Sequence, residues 1–181
     1  MDQIVRIIGG IYRGKKLRFP AIPGLRPTPA RVRETVFNWL MHEIRGAHCL
    51  DAFAGSGALG FEAFSRGAAS VTLLEKSPLA YAHLKRQIQQ FNTEQLLLLQ
   101  TDTLLFLNQP IKKFDIIFFD PPFALFSNIT PQLFNKLTQH LTATGLLYLE
   151  SPGQIALTPE WRTLKTKQAG QVTYSLYQKA S

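Results

Sequence analysis

Apolar residues along the chain recur with two periods, and the alternation between the two outlines a fold. Between Ile4 and Phe19 apolar and polar positions alternate in short runs broken by Gly9, Gly10 and Gly14, which predicts a small hairpin. Pro20, Pro23, Gly24, Pro27 and Pro29 then forbid regular structure, after which Val32, Val36, Phe37 and Leu40 recur at helical spacing. Thr28 before Pro29 reads as an N-cap, so a helix is expected from there to about Arg45.

From Ala47 onward apolar strands alternate with amphipathic helices. Strands are predicted over His48–Phe53, Ser70–Glu75, Leu96–Thr101, Phe114–Asp120 and Gly145–Glu150. Helices are predicted over Ala58–Arg66, from Ser77-Pro78 to about Asn92, briefly after Asp102, and over Thr130–Leu141. Such alternation implies right-handed crossovers and a mostly parallel sheet with helices on both faces, an α/β architecture of Rossmann-like kind. The tail differs: Arg162–Gln168 and Val172–Lys179 are joined around Ala169-Gly170, too close for a helical crossover, and should pair antiparallel at one edge.

At 181 residues, 45% hydrophobic and 18% charged, the chain is expected to form one domain over residues 1–181, with residues 1–28 as a basic hairpin extension. A single cysteine, Cys49, rules out an intrachain disulfide and a multi-cysteine metal site. Met1 is followed by Asp2, and no apolar run approaches the roughly 20 residues of a membrane span, so a cytoplasmic protein without membrane contact is expected. His42, His48, His83 and His140 show no ligand spacing, and no metal is expected.

Charge becomes informative once located. The net charge is +8, and the first 33 residues hold eight basic side chains against one acid, while the remaining twelve basic and eleven acidic residues nearly cancel. A concentrated footprint of this kind neutralises phosphates, which points to nucleic acid; Arg6, Arg13, Lys15, Lys16, Arg31 and Arg33 are the candidate RNA contacts.

Between the first parallel strand and its helix lies Asp51-Ala52-Phe53-Ala54-Gly55-Ser56-Gly57-Ala58-Leu59-Gly60. Gly55-x-Gly57-x-x-Gly60 has the spacing of a dinucleotide fingerprint, yet an acid stands directly beside it. Asp51 would repel a pyrophosphate and attract an ammonium group, so S-adenosylmethionine suits the loop better than NAD. Glu75, ending the second strand, can accept from both ribose hydroxyls, and Asp102, ending the third, from the adenine amine. Phe53, Gly55 and Gly57 complete the candidate cofactor residues.

The fourth strand ends in Asp120-Pro121-Pro122-Phe123. Two prolines remove two amide donors and stiffen the backbone, leaving carbonyl oxygens and a carboxylate to face a ligand. The Asp120 carboxylate and the Pro121 carbonyl suit the two hydrogens of an exocyclic amine, with Phe123 stacking on the base. Asp120, Pro121 and Phe123 are therefore the candidate catalytic residues.

These segments look like class I methyltransferases, and a narrower likeness spans nearly the whole chain. Arg6-Ile7-Ile8-Gly9-Gly10, Arg13-Gly14-Lys15-Lys16-Leu17, Arg26-Pro27-Thr28 and Arg31-Val32-Arg33-Glu34-Thr35-Val36-Phe37-Asn38-Trp39-Leu40, with the glycine loop and with Gly170 and Tyr174, resemble the RsmD family. The resemblance implies S-adenosylmethionine-dependent methylation of N2 of one guanine in 16S ribosomal RNA, within the 30S subunit or its assembly intermediate. It also implies a seven-stranded sheet with an antiparallel C-terminal edge hairpin and an N-terminal hairpin; a monomer is expected. Three other readings stay open on the residues themselves: adenine-N6 methylation of DNA or RNA, a catalytically inactive RNA-binding assembly factor, and a nicotinamide-dependent oxidoreductase suggested by the glycines alone.

Overall fold

In the computed structural model, which describes residues 3–110, 112–128, 130–155 and 157–180, the expected alternation closes into one large sheet and one small one. Strands β1 (Gln3–Arg6) and β2 (Lys16–Phe19) pair antiparallel, with Val5 opposite Leu17. Then follow α1 (Ala30–Trp39), β3 (His48–Asp51), α2 (Ala58–Ser65), β4 (Ser70–Glu75), α3 (Pro78–Gln89), β5 (Leu96–Gln100) and α4 (Thr103–Phe106). The second half holds β6 (Phe114–Phe119), a 3-10 turn over Phe123–Asn128, α5 (Pro131–Gln139), β7 (Leu141–Ser151), β8 (Trp161–Ala169) and β9 (Val172–Lys179).

The large sheet has the order β5-β4-β3-β6-β7-β9-β8. Strands β3 to β7 run parallel, and β9 slots antiparallel between β7 and the edge strand β8. The chain steps outward from β3 in one direction to β5, then crosses back to β6 on the other side. Ligands of such sheets lodge outside the carboxyl ends of the strands at this reversal, here between β3 and β6.

Each sheet face has its own apolar layer because side chains alternate along a strand. Cys49, Leu73, Ile116, Phe118 and Tyr148 bury one face under Val36 and Phe37 of α1, Phe61 and Phe64 of α2, and Leu84 of α3. Val5, Ile7, Leu17 and Phe19 of the N-terminal hairpin join this same layer, so the basic extension is packed against the sheet's helices. Leu50, Ile117, Phe119 and Leu147 bury the other face with Leu133, Phe134 and Leu137 of α5. Full burial of such a side chain stabilises by roughly 1.5–3 kcal/mol, which makes β3 and β6, apolar on both faces, the rigid centre.

Two local expectations are corrected. Helix α1 stops at Trp39 instead of continuing to Arg45; Glu43 and Ile44 fold back onto the Leu40 carbonyl, and Gly46 turns at φ 77 to reach the Gly67 carbonyl. The chain must reverse there to enter β3. Thr28 does not cap α1, whose N-cap is Pro29 without a side-chain bond. The Thr28 hydroxyl is donated to the Glu150 carboxylate at 3.0 Å, a charge-assisted bond stronger than one to a neutral backbone group. No helix among the described residues is long and apolar enough to cross a membrane.

Candidate active site

Register places the strand-end acids in a row. Asp51 pairs with Leu73 and with Phe118, and Phe119 pairs with Leu149. With a period of two, Asp51, Glu75, Asp120 and Glu150 all fall on the face covered by α1, α2 and α3, at the carboxyl ends where β3 and β6 meet.

The glycine loop is built around these acids. Gly57 is the N-cap of α2 at φ 78, and a Cβ there would lie 2.3 Å from the Phe61 ring. Gly60 brings α2 against β4, where a Cβ would meet Leu73 at 2.9 Å and the Asp51 carboxylate at 3.0 Å. That close approach lets the Gly60 amide donate to Asp51 Oδ2 at 2.9 Å. The Gly55 amide donates to Glu75 Oε2 at 2.8 Å, and the Ser77 amide to Glu75 Oε1 at 2.8 Å. Ala52, Ala54 and Gly57 amides bond to the carbonyls of Phe118, Leu74 and Ala54. A pyrophosphate needs free loop amides, and these are already engaged with carboxylates and carbonyls. The loop therefore fits a cationic ligand with hydroxyl donors better than a dinucleotide.

Individual acids differ in exposure. Asp51 is 2% exposed, and burial pushes its carboxyl up to about 7, against the lowering effect of the Gly60 amide. It faces the loop's own backbone and holds the loop in place. Glu75 is half-buried. Asp102 caps α4 by accepting from Leu104 at 2.8 Å and pairs with Lys76 Nζ at 3.0 Å. Phe53 sets its ring edge-to-face on Phe119 at 5.1 Å, half-buried beside the loop.

At the end of β6, Asp120 is partly buried, Pro121 buried and Phe123 52% exposed. The Pro122 carbonyl is used by the Leu125 amide to start the 3-10 turn, which turns Phe123 outward, edge-on to Phe126 at 6.3 Å. An exposed ring next to a carboxylate at a strand end is a platform for a planar ligand. Burial first, then the charges of Glu150 and Asp51, hold the Asp120 carboxyl well above the ordinary carboxylate range.

Glu150 and Thr28 also belong to this site, although sequence reasoning assigns neither of them to it. Glu150 Oε1 accepts from Tyr148 Oη at 2.8 Å as well as from Thr28. The signal that marks Glu150 is an acid at the carboxyl end of a parallel strand, the same signal that marks Asp51, Glu75, Asp102 and Asp120.

The basic segment divides. Arg6, Arg13, Lys16 and Arg31 are exposed, and Lys15 is half-buried with Nζ 4.8 Å from the centre of the Phe91 ring. A groove of about 550 Å³ runs beside the hairpin, lined by Ile4, Arg6, Lys16, Pro27 and Thr28. Arg33, expected as an RNA contact, also lines this groove, but its guanidinium is turned into the fold. It is 3% exposed, with Nε donating to the Thr28 carbonyl, Nη1 to the Arg6 carbonyl at 2.9 Å and Nη1 to Glu62 Oε2 at 3.2 Å. Glu62, fully buried, also accepts from the Ile8 and Gly9 amides and from Arg66. A buried carboxylate on α2 requires a buried cation, and helical spacing turns Arg33 inward while Arg31 stays outside.

The family described as "Conserved hypothetical protein 95" matches residues 5–178. Ribosomal RNA small subunit methyltransferase D of Haemophilus influenzae is 45% identical, over 96% of this chain and 93% of its own length. The protein of the same name from Escherichia coli K12 is 42% identical, over 97% of this chain and 90% of its own. The chain belongs to the ribosomal RNA small subunit methyltransferase D family. This bears out the family resemblance found in the motifs. The solved structure of yhhF from Escherichia coli, a candidate methyltransferase, is 41% identical with a TM-score of 0.89, covering 98% of each chain. The Thermus thermophilus 16S rRNA N2 G1207 methyltransferase, solved with AdoMet and guanosine, has a TM-score of 0.71 over 99% of this chain and 50% of its own, at 20% identity, and shares the fold.

Proposed function

We propose that this member of the family transfers a methyl group from S-adenosylmethionine to the exocyclic N2 amine of one guanine in 16S ribosomal RNA, within the small subunit or its assembly intermediate. The observation that carries the reading is the Asp120-Pro121-Pro122 turn, two of whose three residues lack an amide donor, beside an exposed Phe123, at the switch point of the sheet and next to an acid-lined glycine loop. The names of the relatives, ribosomal RNA small subunit methyltransferases, supply the substrate class.

Residues of the loop fit the cofactor through the chemistry of their donors and acceptors. Glu75 can exchange its bonds to the Gly55 and Ser77 amides for the two ribose hydroxyls. Asp51, raised by burial, takes up its charge when the ammonium of the methionyl group comes near. Phe53, Gly55 and Gly57 line the approach, and Asp102 stands at the adenine end. The bound cofactor would supply an electrophilic methyl group on a sulfonium.

The protein's part is placement and proton handling. Asp120 and the Pro121 carbonyl accept the two amine hydrogens, which turns the nitrogen lone pair out of conjugation with the ring. Positioning of this kind accounts for most of the acceleration in a displacement that needs no strong base beforehand. Asp120 takes the proton once the nitrogen has become acidic by acquiring the methyl. Base edges support guanine: it sets an N1–H donor beside its N2 amine, so one carboxylate can accept from both, whereas adenine sets a bare acceptor beside its N6 amine. Radiolabelled transfer to small-subunit particles lacking the modification tests the proposal. Incorporation is expected there, and incorporation into duplex DNA alone would reject it.

A further inference from the structure

Asp120 has a partner that the mechanism above leaves unused. Because Phe119 and Leu149 are register partners, Asp120 and Glu150 stand side by side at the ends of adjacent parallel strands, on the same face. Glu150 is 7% exposed and Thr28 is 6% exposed, so neither is a solvated surface group. The Thr28 hydroxyl donates to Glu150 at 3.0 Å and stands close enough to Asp120 to favour its ionised form. Its position is fixed from behind, since Arg33 Nε holds the Thr28 carbonyl at 3.0 Å. Tyr148 Oη donates to the same Glu150 oxygen at 2.8 Å, so Glu150 cannot swing away.

The groups facing Asp120 are Asp51 from β3, Glu150 and Tyr148 from β7 and Thr28 from the segment before α1, with Tyr174 of β9 against Tyr148. None of these is a cation, and the nearby guanidinium of Arg33 is turned to Glu62. Two carboxylates held together without a cation do not both ionise at neutral pH, and they titrate as a pair.

We propose that Asp120 and Glu150 form a carboxylate pair that shares one proton, and that Glu150, with the Thr28 hydroxyl bonded to it, is the positioning element that sets when Asp120 can take the proton of the methylated amine. The inference rests on the site's being an amine methyltransferase. The amine lone pair forms the new N–C bond while the S–C bond breaks and its electrons stay on sulfur. The nitrogen then loses one hydrogen as a proton to Asp120, which converts the singly charged pair to a neutral one. The pair returns that proton to water as product leaves.

The pair has a signature that a merely structural role lacks. In wild type the acid limb of kcat/KM reports the neutral pair losing its first proton, and a second ionisation, opposed by the charge already present, follows above the ordinary carboxylate range. Glu150→Gln keeps shape and an oxygen for Thr28 and Tyr148 but removes the shareable proton that stabilises the singly charged pair, so the limb moves up and the second ionisation disappears. The ratio of variant to wild-type rate then falls as pH is lowered from 8 to 5.5, by about tenfold for a one-unit move. Thr28→Val removes the donor that favours the ionised pair and also moves the limb upward, but keeps both titration steps. Carboxyl-carbon NMR titration of the full-length protein, which needs no substrate, shows two coupled steps for Asp120 and Glu150 in wild type and one in Glu150→Gln. A variant that is slower at every pH with its limb unmoved, together with independent wild-type titrations, overturns the proposal. Coupled titrations in a protein that methylates no amine would sink the functional reading and leave the pair standing.

Discussion

Replacing Asp51 by Asn separates the stability of the empty site from its chemistry. Asp51 is buried, and its carboxyl rises from 3.8 to about 7 on folding. A raised carboxyl stabilises the fold fully below its unfolded pKa, and the contribution is lost as pH rises through the folded value. Asp51 alone therefore costs the cofactor-free protein about 4 kcal/mol between pH 4 and pH 8, at ~1.4 kcal/mol for each tenfold change in proton affinity, with relaxation reducing this to no less than about 2. Asn has no charge to desolvate. Whatever constant penalty follows from setting an amide against the loop's backbone donors, the stability difference between variant and wild type must swing by about 2–4 kcal/mol across that range. Urea unfolding at half-unit pH intervals, without cofactor, measures the swing, equivalent to roughly 5–15 °C in Tm for a chain of this size. A difference that changes by less than about 0.5 kcal/mol from pH 4 to pH 8 refutes the reasoning, since it would mean that Asp51 is solvated or paired with a cation.

The remaining predictions concern individual side chains. Arg33→Met breaks the buried pair with Glu62 and is expected to cost about 3–5 kcal/mol in urea unfolding while leaving the salt slope of RNA binding unchanged; a loss under about 1 kcal/mol would put Arg33 back among the surface cations. Arg6 and Lys16, exposed on the groove, should each lower the slope of log K against log salt by about one when changed to Ala, as read by filter binding of small-subunit RNA; equal slopes remove them from the phosphate contacts. Asp120→Ala abolishes transfer with cofactor affinity in calorimetry unchanged, and a parallel loss of both would show that the side chain faces the cofactor. Phe123→Ala, at a ring 52% exposed, lowers kcat/KM by about tenfold through lost stacking with Tm within about 2 °C; a large fall in Tm would make it a packing residue.

Much of the fold is legible in the sequence because periodicity and strand ends are local properties. The strand expected over Ser70–Glu75 forms with those limits, and the acid-glycine loop announces the switch point by chemistry alone. What fails is set by partners far along the chain. Thr28 has the composition of a cap, but Glu150, 122 residues later, offers its hydroxyl a charged acceptor. Arg33 looks like Arg31 in sequence, and only the arrival of Glu62 beneath it decides that one is core and the other surface. Glu150 is visible as a strand-end acid, yet its closeness to Asp120 depends on which strands become neighbours, which the order of segments does not state.

The identity of the nucleoside that gains the methyl group tests the central claim most directly. After reaction with unmodified small subunits and S-adenosylmethionine, nuclease digestion and mass spectrometry should find the label in N2-methylguanosine. Label in N6-methyladenosine, or on a ring carbon that has no amine for Asp120 to grip, would contradict the account.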